Sequence, residues 1–177
     1  DMEAALEMGL KVVKFFPAEA MGGLAVIKAV AAPYGALRFM PTGGVNEKNL
    51  LDYLSFDKVI ACGGSWMVDK QAIADKNFAK ITEITRSAVQ KMLGFELLHV
   101  GVNCADADEA MKVAKQYSAI FGWAVKDGNS STFAGTAVEA MKSPYLGKNG
   151  HIAVATTSVL RAKAYLEGQG FAFDLSL

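Results

Sequence analysis

The sequence predicts an α/β protein in two parts, and three observations lead there. A lysine-bearing apolar run is followed by two short apolar segments, each ending in a Gly-Gly pair and running into a helix. A long segment with apolar residues three and four apart then closes the first part. Beyond residue 94 a strand-plus-helix pattern occurs twice, which marks an internal repeat.

Residues 1–9 read as a helix, with Gly9 as the residue that ends it. Residues 12–16 read as a strand, Val-Val-Lys-Phe-Phe. Side chains alternate along a strand, so Lys14 shares a face with Val12 and Phe16 while Val13 and Phe15 occupy the other. Both faces are apolar, as in a parallel strand covered on both sides, and an ammonium there must find a partner or release its proton. Desolvation lowers a lysine pKa from about 10.4 and leaves some free amine near neutral pH. Free amine attacks carbonyl carbon, which makes Lys14 a candidate Schiff-base residue.

Residues 37–40 read as a second strand, ending in Pro41, Thr42, Gly43 and Gly44, with Asn46 placed to cap a helix over residues 47–54. Residues 58–62 read as a third, ending in Gly63, Gly64 and Ser65. Without a Cβ, glycine lets backbone approach an anion, and successive turns of this kind form the phosphate site in the last two units of a (β/α)8 barrel. Residues 71–93 read as one helix, with Ile73, Phe78, Ile81, Ile84, Ala88 and Met92 on one stripe. Gly94 breaks that pattern and sets a boundary, giving domains 1–93 and 95–177.

The run Lys14-Phe15-Phe16-Pro17-Ala18-Glu19, then Pro41-Thr42-Gly43-Gly44, then Cys62-Gly63-Gly64-Ser65-Trp66 resembles the 2-dehydro-3-deoxy-phosphogluconate and 4-hydroxy-2-oxoglutarate aldolases in order and spacing. The resemblance covers residues 1–93 and implies the last three strands and helices of a TIM (β/α)8 barrel. It also implies a class I aldolase that needs no cofactor. The enzyme would cleave 2-dehydro-3-deoxy-6-phosphogluconate to pyruvate and glyceraldehyde 3-phosphate, or 4-hydroxy-2-oxoglutarate to pyruvate and glyoxylate. By the same resemblance Lys14 is the imine lysine, Phe16 the aromatic beside it and Thr42 a pocket hydroxyl. Gly43, Gly44, Gly63, Gly64 and Ser65 hold the substrate phosphate. The family's general acid/base glutamate and most of its carboxylate contacts belong to earlier strands. The chain is therefore expected to be a fragment of a longer protein, with little turnover by itself and a homotrimeric full-length parent. Glu19 reads as solvated or helix-capping, with a substitute proton shuttle as the alternative.

In the second part, His99-Val100-Gly101-Val102 and His151-Ile152-Ala153-Val154 each open a strand, followed by helices over residues 106–121 and 158–167. Further strands are expected over residues 131–134 and 136–141, and residues 171–177 alternate like an unfinished strand. This pattern resembles the paired βαβββ modules of the glyoxalase-like, vicinal-oxygen-chelate superfamily, with the second module incomplete. The resemblance implies that His99, Glu139 and His151 are candidate ligands for a divalent metal. Two other functions follow from it: a metal-dependent glyoxalase-like lyase or oxygenase, and a small-molecule-binding regulatory domain.

With 18 basic and 18 acidic residues the chain has no net charge to attract nucleic acid or anionic membrane, so neither is an expected partner. A small-molecule keto acid is. Lys28 and Arg38 interrupt the longest apolar regions before spanning length, so no transmembrane helix is expected. Cys62 and Cys104 fall in different domains, which argues against a disulfide and for a reducing, cytoplasmic setting.

Overall fold

A computed structural model describes residues 1–175. The chain divides into two compact units, Asp1–Leu93 and Gly94–Leu177, with mixed α/β structure in each.

The first unit opens with helix α1 (Met2–Glu7), which ends at Met8 before Gly9 turns left-handed at φ 74°. Strand β1 (Val12–Phe15) pairs in parallel with β2 (Arg38–Pro41), Lys14 opposite Met40 and Phe15 opposite Pro41. A crossover joins them through a single 3-10 turn (Glu19–Met21) and helix α2 (Gly23–Ala31). Phe15, Ile27, Leu37, Phe39, Leu50, Tyr53 and Val59 form the core. Each large apolar side chain buried there contributes about 1.5–3 kcal/mol.

Three expectations for this unit need correction. Residues 58–62 are not a strand. Among the described residues one isolated parallel bridge, Phe39 to Val59, ties that segment to β2, and a second, Thr42 to Gly63, lies just beyond both. The hydrogen bonds there are spaced and not continuous: Phe39 N–H to Lys58 carbonyl at 2.7 Å, Ile60 N–H to Phe39 carbonyl at 3.2 Å and Gly63 N–H to Pro41 carbonyl at 2.9 Å. The helix expected over residues 71–93 is two helices, α4 (Lys70–Ala74) and α5 (Phe78–Leu93). Lys76 takes φ 55°, a left-handed conformation that ends α4, and the Asn77 side chain then accepts from the Lys80 N–H at 3.1 Å to start α5. Helix α3 is also shorter than expected, spanning Leu50–Leu54. Asn46 caps the turn before it, its side chain accepting from Lys48 N–H at 2.9 Å.

The second unit is a five-stranded sheet in the order β4-β5-β6-β3-β7. Its strands are β3 (Glu96–Asn103), β4 (Val125–Asp127), β5 (Ser131–Ala134), β6 (Val138–Met141) and β7 (Gly150–Ala155). Strand β3 runs parallel to β6, and every other pairing is antiparallel. Helix α6 (Ala107–Phe121) is capped by Asp106, whose side chain accepts from Glu109 N–H at 2.9 Å, and it packs Ala110 against Ala140 and Cys104. Helix α7 (Val159–Gly168) starts at Ser158 in the same way. The alternating tail is not a strand over residues 171–175, and residues 176–177 lie outside the described residues. Neither Cys62 nor Cys104 is in a disulfide. Among the described residues no helix is long and apolar enough to cross a membrane.

Candidate functional sites

In the first unit, alternation along β1 sends Phe15 and Val13 into the core beneath the helices and leaves Val12, Lys14 and Phe16 on the opposite face. Lys14 is exposed there, contrary to the expectation of a strand covered on both sides. Lys14 lines an open groove of about 440 Å³ together with Met2 of α1, Val12, Val13 and Phe15 of β1, Phe16 and Met21, among others. The Lys14 ammonium lies 5.0 Å from the centre of the Phe16 ring, within reach of a cation–π contact.

The parallel register brings the three sequence motifs to one end of the strands. Ala18 N–H donates to Thr42 carbonyl at 2.8 Å and Glu19 N–H to Gly43 carbonyl at 3.1 Å, tying the first motif to the second. Thr42 bridges to Gly63, tying the second to the third, with Gly63 N–H donating to Pro41 carbonyl at 2.9 Å.

The glycines are fixed by close contact. A Cβ on Gly43 would lie 2.9 Å from the Phe16 ring, and one on Gly44 2.5 Å from the Glu19 side chain. On Gly63 it would lie 2.8 Å from Thr42 Oγ1, and on Gly64 1.6 Å from the Trp66 indole. Each of these glycines therefore receives a neighbouring side chain where its own would stand. Phe16 links the two halves of the site, touching both Lys14 and Gly43.

Sequence reasoning did not find Tyr53. Its hydroxyl donates to Glu19 Oε1, and burial first, then that carboxylate, pushes the phenol pKa well above its ordinary value. The two residues are 34 positions apart, and no local pattern links them.

In the second unit the sheet register assembles a different cluster. Glu139 on β6 and His151 on β7 both lie opposite Gly101 of β3, and His99 lies two residues along the same face. Alternation puts Ala140 on the other face, beneath α6. A Cβ on Gly101 would lie 2.1 Å from the His151 ring, so that glycine is the space the imidazole occupies. His99 Nε2 is 3.0 Å from Glu139 Oε2, His151 Nε2 is 3.3 Å from the same oxygen, and the two nitrogens are 3.2 Å apart. All three residues are largely buried. Ser131 donates to the other carboxylate oxygen at 2.6 Å, and Phe133 packs edge-on against His99. His151 Nδ1 is buried with no hydrogen-bond partner among the described residues.

Comparison with known proteins bears on the first unit. The family model "Aldolase: KDPG and KHG aldolase" matches residues 1–84. A "2-dehydro-3-deoxy-phosphogluconate aldolase" of Treponema pallidum is 50% identical over 90 residues, covering 51% of this chain and 43% of the relative. One from Haemophilus influenzae is 49% identical over 88 residues, covering 50% and 42%. A solved KDPG aldolase from Legionella pneumophila, with pyruvate captured as a covalent carbinolamine intermediate, aligns at TM-score 0.47 and 40% identity, covering 49% of this chain and 42% of that one. The chain thus spans less than half the length of each of these relatives. It is over residues 1–84 that the sequence matches the KDPG and KHG aldolase family.

Proposed function

We propose that the whole protein is a class I aldolase in which Lys14 forms the Schiff base. The observation that carries this reading is the exposed Lys14 side chain on β1, joined through Phe16 to a run of glycine turns. The 50% identity to an aldolase over this region supports it. The lysine amine adds to the C2 keto group of the substrate, and loss of water gives a protonated imine. Breaking C3–C4 sends its electron pair into that imine, giving an enamine in place of a bare carbanion, and the proton of the C4 hydroxyl leaves to a base. Protonation at C3 and hydrolysis then release pyruvate and restore the amine.

The substrate class is a 2-keto-3-deoxy sugar acid phosphate, with 4-hydroxy-2-oxoglutarate as the shorter alternative. Phe16 flanks the imine and Thr42 lines the pocket. Gly43, Gly44, Gly63, Gly64 and Ser65 take the phosphate, with backbone N–H groups at Gly43, Gly44 and Gly64 that meet no protein acceptor among the described residues. A homotrimeric parent belongs to the same proposal. Borohydride reduction in the presence of labelled pyruvate tests the assignment. Label is expected at Lys14 and is lost in Lys14→Ala; label elsewhere, or full activity in that variant, overturns it.

A second reading rests on the cluster in the sheet of the second unit. We infer that this unit is a glyoxalase-like βαβββ module followed by the start of another, and that His99, Glu139 and His151 hold a divalent metal ion. The donor set fits. An ion roughly 2.1 Å from each donor spaces neighbouring donors about 3.0 Å apart at right angles and about 3.4 Å apart at tetrahedral angles. The observed separations are 3.0, 3.2 and 3.3 Å. Ser131 orients the carboxylate, as an outer-shell partner does, whereas His151 Nδ1 meets no acceptor among the described residues. A bound ion would supply Lewis-acid polarisation of a substrate oxygen. The expected result is one equivalent of zinc, nickel or manganese bound by calorimetry, falling at least about tenfold in affinity on His99→Ala or His151→Ala. Unchanged binding in both variants overturns the reading.

A further inference from the structure

Glu19 is held by its backbone, by its Cβ and Cγ and by one carboxylate oxygen. Its N–H donates to Gly43 carbonyl at 3.1 Å, its carbonyl accepts from Gly22 N–H at 3.1 Å, and its Cβ and Cγ fill the space over Gly44. Its carboxylate oxygen Oε1 accepts from the Tyr53 hydroxyl, and Gly23 makes room for both, since a Cβ there would stand 3.1 Å from that oxygen and 3.2 Å from the phenol. Tyr53 is 1% exposed and anchored in the core, so the far end of this contact does not move. The residue thus joins a rigid core position to the Gly43–Gly44 turn. Glu19 is exposed and makes these contacts nonetheless, so a positioning role and a proton-carrying one are separated by the variants below, not by burial.

We propose that Glu19 is a positioning residue: tethered to Tyr53, its side chain fixes the Gly43–Gly44 turn in the shape that receives the substrate phosphate, and it carries no proton in the reaction. This rests on the reading of that turn as a phosphate site. Gly44, at φ 83°, and Glu19 act as a matched pair, one lacking the atoms that the other supplies.

The test uses the 177-residue chain, with the backbone amide resonances of Gly43 and Gly44 followed by NMR and inorganic phosphate as the titrant. Glu19→Ala and Tyr53→Phe are expected to shift both resonances before any phosphate is added and to weaken phosphate binding about fivefold, the size of one net hydrogen bond. Glu19→Gln, whose amide oxygen still accepts from Tyr53, is expected to stay within about twofold of the unaltered chain. Resonances and affinity unchanged in Glu19→Ala and Tyr53→Phe overturn the proposal. So does equal loss of borohydride labelling at Lys14 in Glu19→Gln and Glu19→Ala, because that would show the carboxyl proton in use. If the unaltered chain takes up no phosphate, the phosphate reading fails by itself, and the resonances before titration still decide the tether. Should Glu19→Ala not fold, Tyr53→Phe, which removes a single oxygen, decides between the outcomes.

Discussion

Gly101 has Glu139 on one side and His151 on the other, and its lack of a side chain gives the imidazole its place. Its backbone is not left-handed, so alanine is tolerated there conformationally and the cost falls on the ring. Gly101→Ala is expected to push His151 off Glu139 and to lower divalent-metal affinity at least about tenfold, with a melting temperature changed by only a few degrees. Calorimetry and thermal unfolding on the same variant check both parts; undiminished metal binding would show that the ring has another position from which to bind. The two histidines stand out in the sequence because they are the chain's only ones and each opens a similar His-x-x-Val run, and Glu139 stands out only through the resemblance those runs suggest. Gly101 does not stand out, since its importance depends on which residue of another strand comes to lie beside it. The same holds for Tyr53 and Glu19. Their contact is set by the packing of α3 against the turn after β1, which no spacing rule expresses.

Among the elements, the clearest consequence is the break between α4 and α5. Lys76 adopts φ 55°, a conformation that costs a side chain with a Cβ about 1 kcal/mol and glycine little. Lys76→Gly is therefore expected to stabilise the chain by roughly 0.5–1 kcal/mol, read as a higher denaturant midpoint with an unchanged slope. An unchanged or lower midpoint would mean that the gain in unfolded-chain entropy outweighs the relief. Periodicity alone joined α4 to α5, because Ile73 and Phe78 both fit a helical stripe; the Asp75-Lys76-Asn77 stop-and-restart is a local competition that the stripe does not report. Where the local chemistry was unambiguous the elements are where the sequence puts them. Asp106 starts α6 with its side chain on the Glu109 N–H, and residues 131–134 form β5. Residues 58–62 and 171–175 have strand-like composition without a ladder, since composition describes a face and pairing requires a neighbour.

At the scale of the whole molecule, Asp69 in the first unit and Asp127 in the second are carboxylates held below the usual range. Asp69 owes this first to the hydrogen bond from Lys80 and then to the Ala72 N–H it caps, and Asp127 to Lys142 and then Thr132. A carboxyl lowered in the folded state contributes stability that is complete above its unfolded pKa of about 4 and is lost as pH falls through the folded value. The melting temperature is thus expected to be level above about pH 5 and to decline below about pH 4, less steeply in Asp69→Asn and in Asp127→Asn. Circular dichroism melts across that range check it; identical acid profiles in both variants would assign the decline to other groups. The division near residue 94 followed from Gly94 interrupting a helical pattern, whereas the exposure of Lys14 on β1 could not be read from residues that look equally apolar on both sides. The sheet of the second unit carries one more implication. Its three candidate ligands come from three neighbouring strands, with β7 at the border of the sheet. Any ion they share acts as a staple across the backbone ladder, so the terminal strand would peel away more easily once a chelator removed it, and occupancy would regulate how firmly that border is closed.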